Sequence, residues 1–206
     1  MQMRKMVLAG LLAATVSVAA GGCGVMDAVQ EGIQEGLETL SSQTASLSQS
    51  EIQEKSVTFT TYDGSFSVMA PSGWEDLGQS ANEDAELALG SADGSVGFLL
   101  FLESRTDFSE DVDYRAYLDL AVQTMELDNM ELGAVTELTL DDRPAAVQTV
   151  TGESAPYRFQ YWVYAVQYDD VFARYVFYCS ASEAQKAQPT VETIVQSIGP
   201  VQTVSN

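Results

Sequence analysis

The sequence has no histidine, and this absence removes much of the chemistry that a chain of 206 residues could carry. Histidine is the commonest general base and the commonest metal ligand in proteins. Catalytic triads that depend on an imidazole and zinc sites of the HExxH type are therefore excluded. We predict no cofactor and no metal site of this kind.

Basic residues are also scarce, with 9 Lys and Arg against 30 Asp and Glu, a formal charge of −21. Arg4 and Lys5 fall in a segment that we expect to be removed, which leaves 7 bases against 30 acids, a charge of −23. Nucleic acids and anionic headgroups are bound by clusters of Lys and Arg. We therefore predict no nucleic-acid partner, and the simplest role of the acidity is solubility.

The amino terminus has the pattern of an export signal. Arg4 and Lys5 precede an uncharged apolar stretch, Val7 to Ala20, which ends in small residues. The stretch is shorter than the roughly 20 residues that a membrane-spanning helix needs. This favours a signal peptide over residues 1–22.

The signal ends in a sequence that resembles the lipobox of bacterial lipoproteins, Ala20-Gly21-Gly22-Cys23, with Ala20 in place of the usual Leu. We predict cleavage between Gly22 and Cys23, with diacylglycerol and palmitate on Cys23. Two acyl chains anchor a protein durably where one is marginal. An ordinary secretory signal with a chance cysteine is the alternative. If Cys23 carries lipid, Cys179 has no disulfide partner and is expected in the core.

Residues 23–55 differ in composition from the rest and are predicted to form a largely disordered tether. Ser41 to Gln53 is polar and free of aromatics, which favours disorder. Gly32 and Gly36 weaken any helix in the preceding part. The alternative is a loose amphipathic helix that packs on the domain, because apolar residues recur there at near-helical spacing: Val25, Val29, Ile33, Leu37 and Leu40.

Residues 56–200 are predicted to form one α+β domain, followed by a tail over residues 201–206. Alternating apolar residues and turn dipeptides predict strands over Ser56–Tyr62, Phe66–Ala70, Glu86–Gly90, Ser95–Glu103, Leu132–Leu140, Ala145–Thr151, Tyr157–Tyr168 and Val171–Ser180. Periodicity predicts a helix over Asp111–Asp128 and a final helix opened by Pro189. The order of elements favours an antiparallel sheet with helices packed on its faces. We detect no internal repeat.

Two stretches of the domain are similar to the PsbP-like group, which includes DcrB-like proteins and many bacterial lipoproteins. They are Tyr62-Asp63-Gly64-Ser65-Phe66-Ser67-Val68-Met69-Ala70-Pro71-Ser72-Gly73-Trp74, with its P-x-G-W segment, and the closing Thr193-Ile194-Val195-Gln196-Ser197-Ile198. The resemblance implies an α/β/α sandwich, an extracytoplasmic location and a non-enzymatic role in binding or assembly. Metal binding through histidine, known for some photosynthetic members, is not carried over because this chain has none.

The last two predicted strands are rich in aromatic residues. If the turn at Asp169-Asp170 holds two or four residues, Trp162 lies opposite Phe177 and Tyr164 opposite Tyr175. A ligand face of Tyr161, Trp162, Tyr164, Tyr175 and Phe177 is one interpretation, because aromatic rings offer a stacking surface. We favour a core role, since aromatics fall on both faces of the hairpin.

Acidic clusters at Glu83-Asp84, Asp107–Asp113 and Asp141-Asp142 match no calcium-loop pattern, and we expect structural or solvated roles for them. Arg158 and Arg174 are expected to cap the sheet or pair with acids.

We predict a non-catalytic lipoprotein of the cell envelope, lipid-anchored on the extracytoplasmic face of the membrane, with an envelope protein or cell-wall component as partner. The alternatives are a carboxylate-based cell-wall glycan hydrolase and a calcium-dependent adhesion domain.

Overall fold

The computed structural model describes residues 56–201. The predicted signal peptide, the cleavage at Gly22, the lipidated Cys23, the tether and residues 202–206 lie outside this part. Its elements in chain order are β1 (Ser56–Thr60), β2 (Phe66–Pro71), β3 (Glu75–Asp76), β4 (Leu87–Gly90), β5 (Val96–Ser104), α1 (Tyr114–Gln123), β6 (Asp128–Leu132), β7 (Thr136–Leu140), β8 (Arg143–Ser154), β9 (Tyr157–Gln167), β10 (Val171–Ser180), α2 (Ala184–Val195) and β11 (Gly199–Pro200).

Within these residues the strands form two sheets. The large sheet has 8 strands in the order β3-β4-β5-β10-β9-β8-β6, and β7 pairs with β8. The small sheet has the order β1-β2-β11. All of the recorded strand pairs in the large sheet are antiparallel. The predicted α+β class, with helices on an antiparallel sheet, is confirmed.

The two faces of the large sheet carry different partners. On one face α2 and the small sheet enclose a core that includes Phe98, Tyr175 and Phe177, all with 0% of their surface exposed. On the other face α1 lies on β8 and β9 and reaches the side of β10. Alternation along the strands sends neighbouring side chains to opposite cores. Phe177, for example, faces the first core and Tyr178 packs against the second.

The aromatic hairpin of β9 and β10 has the predicted register. Asp169 and Asp170 form the turn, because the Tyr168 N–H donates to the Val171 carbonyl over 2.9 Å. Trp162 therefore lies opposite Phe177, and Tyr164 opposite Tyr175. At the β7–β8 turn both Asp141 and Asp142 have positive φ, 50° and 57°, as a two-residue turn with right-handed strand twist requires.

Two of the hairpin turns share a five-residue motif. Thr61–Ser65 and Ser91–Ser95 both read [ST]-x-D-G-S. In each, one oxygen of the central Asp accepts hydrogen bonds from the first hydroxyl and from the backbone N–H and hydroxyl of the last Ser. Gly64 and Gly94 take the positive φ of 73° and 67° that this turn needs.

The first helix is shorter than the predicted Asp111–Asp128. It begins at Tyr114 because the Asp113 carboxylate accepts hydrogen bonds from the N–H groups of Arg115 and Ala116, at 3.0 and 2.9 Å. It ends at Gln123, and β6 begins at Asp128. The predicted strand Leu132–Leu140 is also wrong, because the segment is divided between β6 and β7, which pair with separate parts of β8.

The prediction that Pro189 opens the last helix is wrong, because Pro189 lies inside the helix. The helix starts at Ala184, after a short 3-10 turn over Ala181–Glu183. Proline lacks an N–H, so the helix loses one hydrogen bond there. The predicted apolar stripe is confirmed, since Val191, Ile194, Val195 and Ile198 are all buried.

Candidate functional site

The five aromatic residues of the suggested ligand face are all buried. Their exposed fractions run from 0% to 7% for Tyr161, Trp162, Tyr164, Tyr175 and Phe177. Tyr161 belongs to the core under α1, whereas the other four belong to the core under α2. Burial raises the pKa of Tyr161 and of Tyr164 to about 12, so both phenols stay protonated at neutral pH. These rings pack the interior and present no open stacking platform.

Cys179 is also in the core, as predicted, with 2% of its surface exposed. Burial, followed by the charge of Glu183, raises the pKa of its thiol to about 11. Because the thiolate is the reactive form, this environment suppresses nucleophilic chemistry at neutral pH.

A cleft of about 220 Å³ lies between α2 and the ends of β2 and the β4–β5 hairpin. Its lining includes Trp74, Asp93, Lys186 and Thr190. Hydrogen bonds from Ser95 and Ser91 lower the pKa of Asp93 to about 2. One Asp93 oxygen is therefore held as an acceptor by the turn, and the carboxylate is a poor proton donor in this cleft.

Asp63 and Glu86 are the carboxylates with the pKa separation that the hydrolase alternative needs. Hydrogen bonding by Thr61 is the largest cause that lowers the pKa of Asp63, while burial and the charge of Asp63 raise that of Glu86. The donors to Asp63 all belong to its own turn, which has a structural twin at Asp93. The turn therefore accounts for the lowered pKa of Asp63, and burial with the charge of Asp63 accounts for the raised pKa of Glu86.

The acidic clusters do not converge. Among residues 56–201, no three carboxylate or thiol groups lie close enough together to hold a metal ion. Asp113 caps α1, and Asp141 and Asp142 form a turn. No helix within the described part of the chain is both long enough and apolar enough to cross a membrane.

Part of the sheet face beside α1 is not covered by that helix. We call it the open half-face and define it by Leu77, Leu99, Phe101, Arg174, Val176 and Tyr178. It lies over the inner strands β4, β5 and β10. Leu77 is 42% exposed, and Leu99, Val176 and Tyr178 are half-buried. Gly97 allows Tyr178 to lie against the sheet, since a Cβ at Gly97 would be 2.1 Å from the tyrosine Cζ.

Arg174 is the charged residue of this half-face, and its environment differs from the predicted one. It is 6% exposed, and its guanidinium lies over the Phe101 ring at 4.2 Å from the centroid. Within residues 56–201 it forms no ion pair and no hydrogen bond, and its Nε is buried without an acceptor. The expectation that Arg174 pairs with an acid is therefore wrong, because no described carboxylate reaches it.

Arg158, by contrast, makes the predicted ion pairs, with Glu131 at 2.8 Å and Glu153 at 3.4 Å. It lies near the start of β9, whereas Arg174 lies in the middle of an inner strand. The sequence held one signal of this difference, since Arg174 interrupts an apolar and aromatic run, Val171–Cys179.

A tyrosine and a glutamate complete the surroundings of Arg174. The Tyr117 hydroxyl donates to a Glu103 carboxylate oxygen, and its ring stacks on Phe172 at a centroid distance of 4.6 Å. Burial raises the pKa of Tyr117 strongly, and the charge of Arg174 opposes part of this rise. Glu103 therefore accepts a hydrogen bond from Tyr117, whose phenol also feels the charge of Arg174.

Comparison with known proteins identifies similar folds. No family model matches the sequence, and no curated protein is significantly similar to it. Among solved structures, the PsbP protein of Synechocystis sp. PCC 6803 matches with a TM-score of 0.52 and 9% identity, over 71% of this chain and 93% of that one.

Two further structures are similar. LpqN of Mycobacterium tuberculosis matches with a TM-score of 0.53 and 12% identity, over 74% of this chain and 95% of that one. A Mog1 mutant matches with a TM-score of 0.50 and 10% identity, over 72% and 97% of the two chains. At such low identities the likeness concerns the fold alone. The chain has a PsbP-like fold.

Proposed function

We propose that this protein is a non-catalytic binding or assembly module of the cell envelope. Lipid on Cys23 holds it on the extracytoplasmic face of a membrane, and a flexible tether over residues 23–55 carries the domain away from the surface. The partner is an envelope protein or a cell-wall component, and no nucleic acid is involved.

The anchor is supported by the order of charged, apolar and small residues that ends in Gly22 and Cys23. A tether of this length has a root-mean-square span on the order of 30 Å, enough for the domain to clear the headgroups. The similar structure of LpqN belongs to a protein described as involved in cell envelope biogenesis, which agrees with this location.

The binding role rests on the open half-face. Leu77, Leu99 and Tyr178 leave apolar surface in contact with water on the same half-face as a buried arginine that has no acceptor for its Nε. Contiguous exposed apolar surface on a folded domain is typical of interaction sites. We therefore assign contact with the partner to the open half-face.

The anchor is tested with labelled fatty acid and membrane fractionation. Wild-type protein should incorporate the label and sediment with membranes, while Cys23→Ala should do neither. Cys179→Ala is the matched control, because it removes the other cysteine and should leave labelling intact. Equal membrane association of wild type and Cys23→Ala would contradict the anchor.

The binding surface is tested by chemical crosslinking in intact envelopes. Leu99→Asp places a charge on the open half-face and should abolish crosslinks to the partner. Met69→Asp, at a side chain that is 42% exposed on β2 of the small sheet, is the control and should leave the crosslinks unchanged. Loss of the crosslinks in both variants, or in neither, would place the binding surface elsewhere.

A further inference from the structure

We propose that the open half-face binds a single-chain amphiphile with a carboxylate head, and that Arg174 takes the carboxylate. This inference rests on the proposed binding role of the open half-face and names the chemistry of a ligand for it. It does not depend on the lipid at Cys23, because the ligand would contact only residues of the folded domain.

The head of the ligand follows from the condition of Arg174. A guanidinium carries five N–H donors and stays protonated at all ordinary pH values. Burying it without a carboxylate is strongly unfavourable, and its contact with Phe101 offsets only part of that cost. The buried Nε without an acceptor shows that the described residues leave this group unsatisfied. A carboxylate matches the fork of a guanidinium with two parallel hydrogen bonds.

The apolar body of the ligand follows from the line of side chains that leads away from Arg174. Val176 and Tyr178 follow on the same side of β10, and Leu99 lies opposite Val176 on β5. With about 3.3 Å per residue, Arg174 and Tyr178 are separated by about 13 Å along the strand. This span suits an extended hydrocarbon chain of medium length.

The topology disfavours a peptide strand as occupant. β5 and β10 each have a hydrogen-bonded neighbour on both sides, so neither offers a free edge to an incoming strand. A hydrocarbon chain brings no backbone amides that would need partners on this apolar surface. A partner helix with an acidic side chain remains the competing occupant, and the test below distinguishes it.

The negative net charge of the chain weakens the binding of a carboxylate through long-range repulsion. Without residues 1–22 the chain has 30 acids and 7 bases, and this net charge of −23 repels any anion. Glu103 is on the same strand as Phe101, the ring under the guanidinium. Glu103 is already hydrogen-bonded by Tyr117, and Arg105 adds a positive charge over the Phe172 ring. Because salt screens distant charges more than a contact pair, decanoate should bind at least as tightly at high salt as at low salt.

The test is calorimetric titration of the mature chain, residues 23–206, carrying Cys23→Ala. The probes are decanoate below its critical micelle concentration, decanol below its solubility limit, and acetate. Decanoate should bind at one site. Decanol should bind at least tenfold more weakly because it lacks the charge, and acetate should show no saturable binding because it lacks the chain.

Two variants and one control assign the site. Arg174→Met should weaken decanoate binding at least tenfold and leave decanol unchanged. Leu99→Glu places a carboxylate diagonally across from Arg174, and it should abolish decanoate binding while raising the melting temperature. Arg158→Met removes an arginine that is paired at the surface and should change nothing. If Arg174→Met fails to fold, Leu99→Glu alone decides the question.

Equal binding of decanoate to wild type and Leu99→Glu would overturn the inference, as would binding of acetate as tight as that of decanoate. Absence of decanoate binding, together with crosslinks that Leu99→Asp abolishes, would favour the partner helix and would leave the proposed function standing. Failure of the lipid label at Cys23 would overturn the anchor without affecting these titrations.

Discussion

The two faces of the large sheet are completed in different ways. Under α2 and the small sheet the core contains fully buried rings. Beside α1 the sheet keeps half-buried apolar side chains and one buried arginine without an acceptor. We therefore expect the first face to contribute more to the free energy of unfolding, and the second face to contact ligands. Adjacent residues of one strand allow direct tests of this difference.

The largest expected effect is at Phe177, which faces the closed core. Phe177→Ala should lower the free energy of unfolding by about 3–5 kcal/mol, because it removes a ring that packs against Phe98 and Tyr164. Val176→Ala, one residue away on the open side, should cost about 1 kcal/mol. Urea denaturation of both variants checks the difference, and similar costs would contradict the contrast between the faces.

Thiol reactivity gives a second measure of the same contrast. Burial raises the pKa of Cys179 from 9.0 to about 11, so its thiolate fraction at neutral pH falls about a hundredfold. In a chain with Cys23→Ala, Cys179 should react with a thiol reagent at least a hundredfold more slowly than Leu99→Cys introduced into a Cys179→Ala background. Comparable labelling rates would show that the closed face opens as easily as the open one.

Gly97→Ala should destabilise the open half-face by a steric clash with Tyr178. The new Cβ would be 2.1 Å from the Tyr178 Cζ, so the tyrosine ring has to leave its place against the sheet. We expect a loss of about 1–3 kcal/mol in the free energy of unfolding. Tyr178→Ala removes the clashing ring, so Gly97→Ala should cost far less in that background. A double-mutant cycle by urea denaturation measures this coupling, and purely additive effects would contradict the contact.

The sequence predicted the closed face better than the open one. Alternation and the two-residue turn at Asp169-Asp170 were enough to pair Trp162 with Phe177, because register follows from the pattern and the loop length. Helix ends were less predictable. Proline is disfavoured inside a helix, yet the helix includes a turn on the amino-terminal side of Pro189, where Ala187 is buried in the core.

The open half-face was not predictable from local patterns. Arg158 and Arg174 are the same residue type on neighbouring strands, and both were expected to cap the sheet or pair with acids. Only the tertiary arrangement brings Glu131 and Glu153 to the first and leaves the second over Phe101. Burial of a charge depends on distant elements, and strand propensity carries no information about them.

The smallest expected effect is at the β4–β5 turn, which borders the closed face. Hydrogen bonds lower the pKa of Asp93 to about 2, below its value in the unfolded chain. A carboxylate with a lowered pKa contributes stability above the unfolded pKa and loses it as the pH falls toward the folded pKa. Asp93→Asn should therefore cost at most about 1 kcal/mol near pH 7 and nearly nothing near pH 2.

Urea midpoints at the two pH values measure this change, and Asp63→Asn in the twin turn gives a matched comparison, since its pKa is also lowered. Both variants should lose their effect in acid, because protonation removes the charged acceptor from the wild type as well. If the variants are as much less stable than the wild type near pH 2 as near pH 7, the carboxylate charge does not contribute to the stability of the turn.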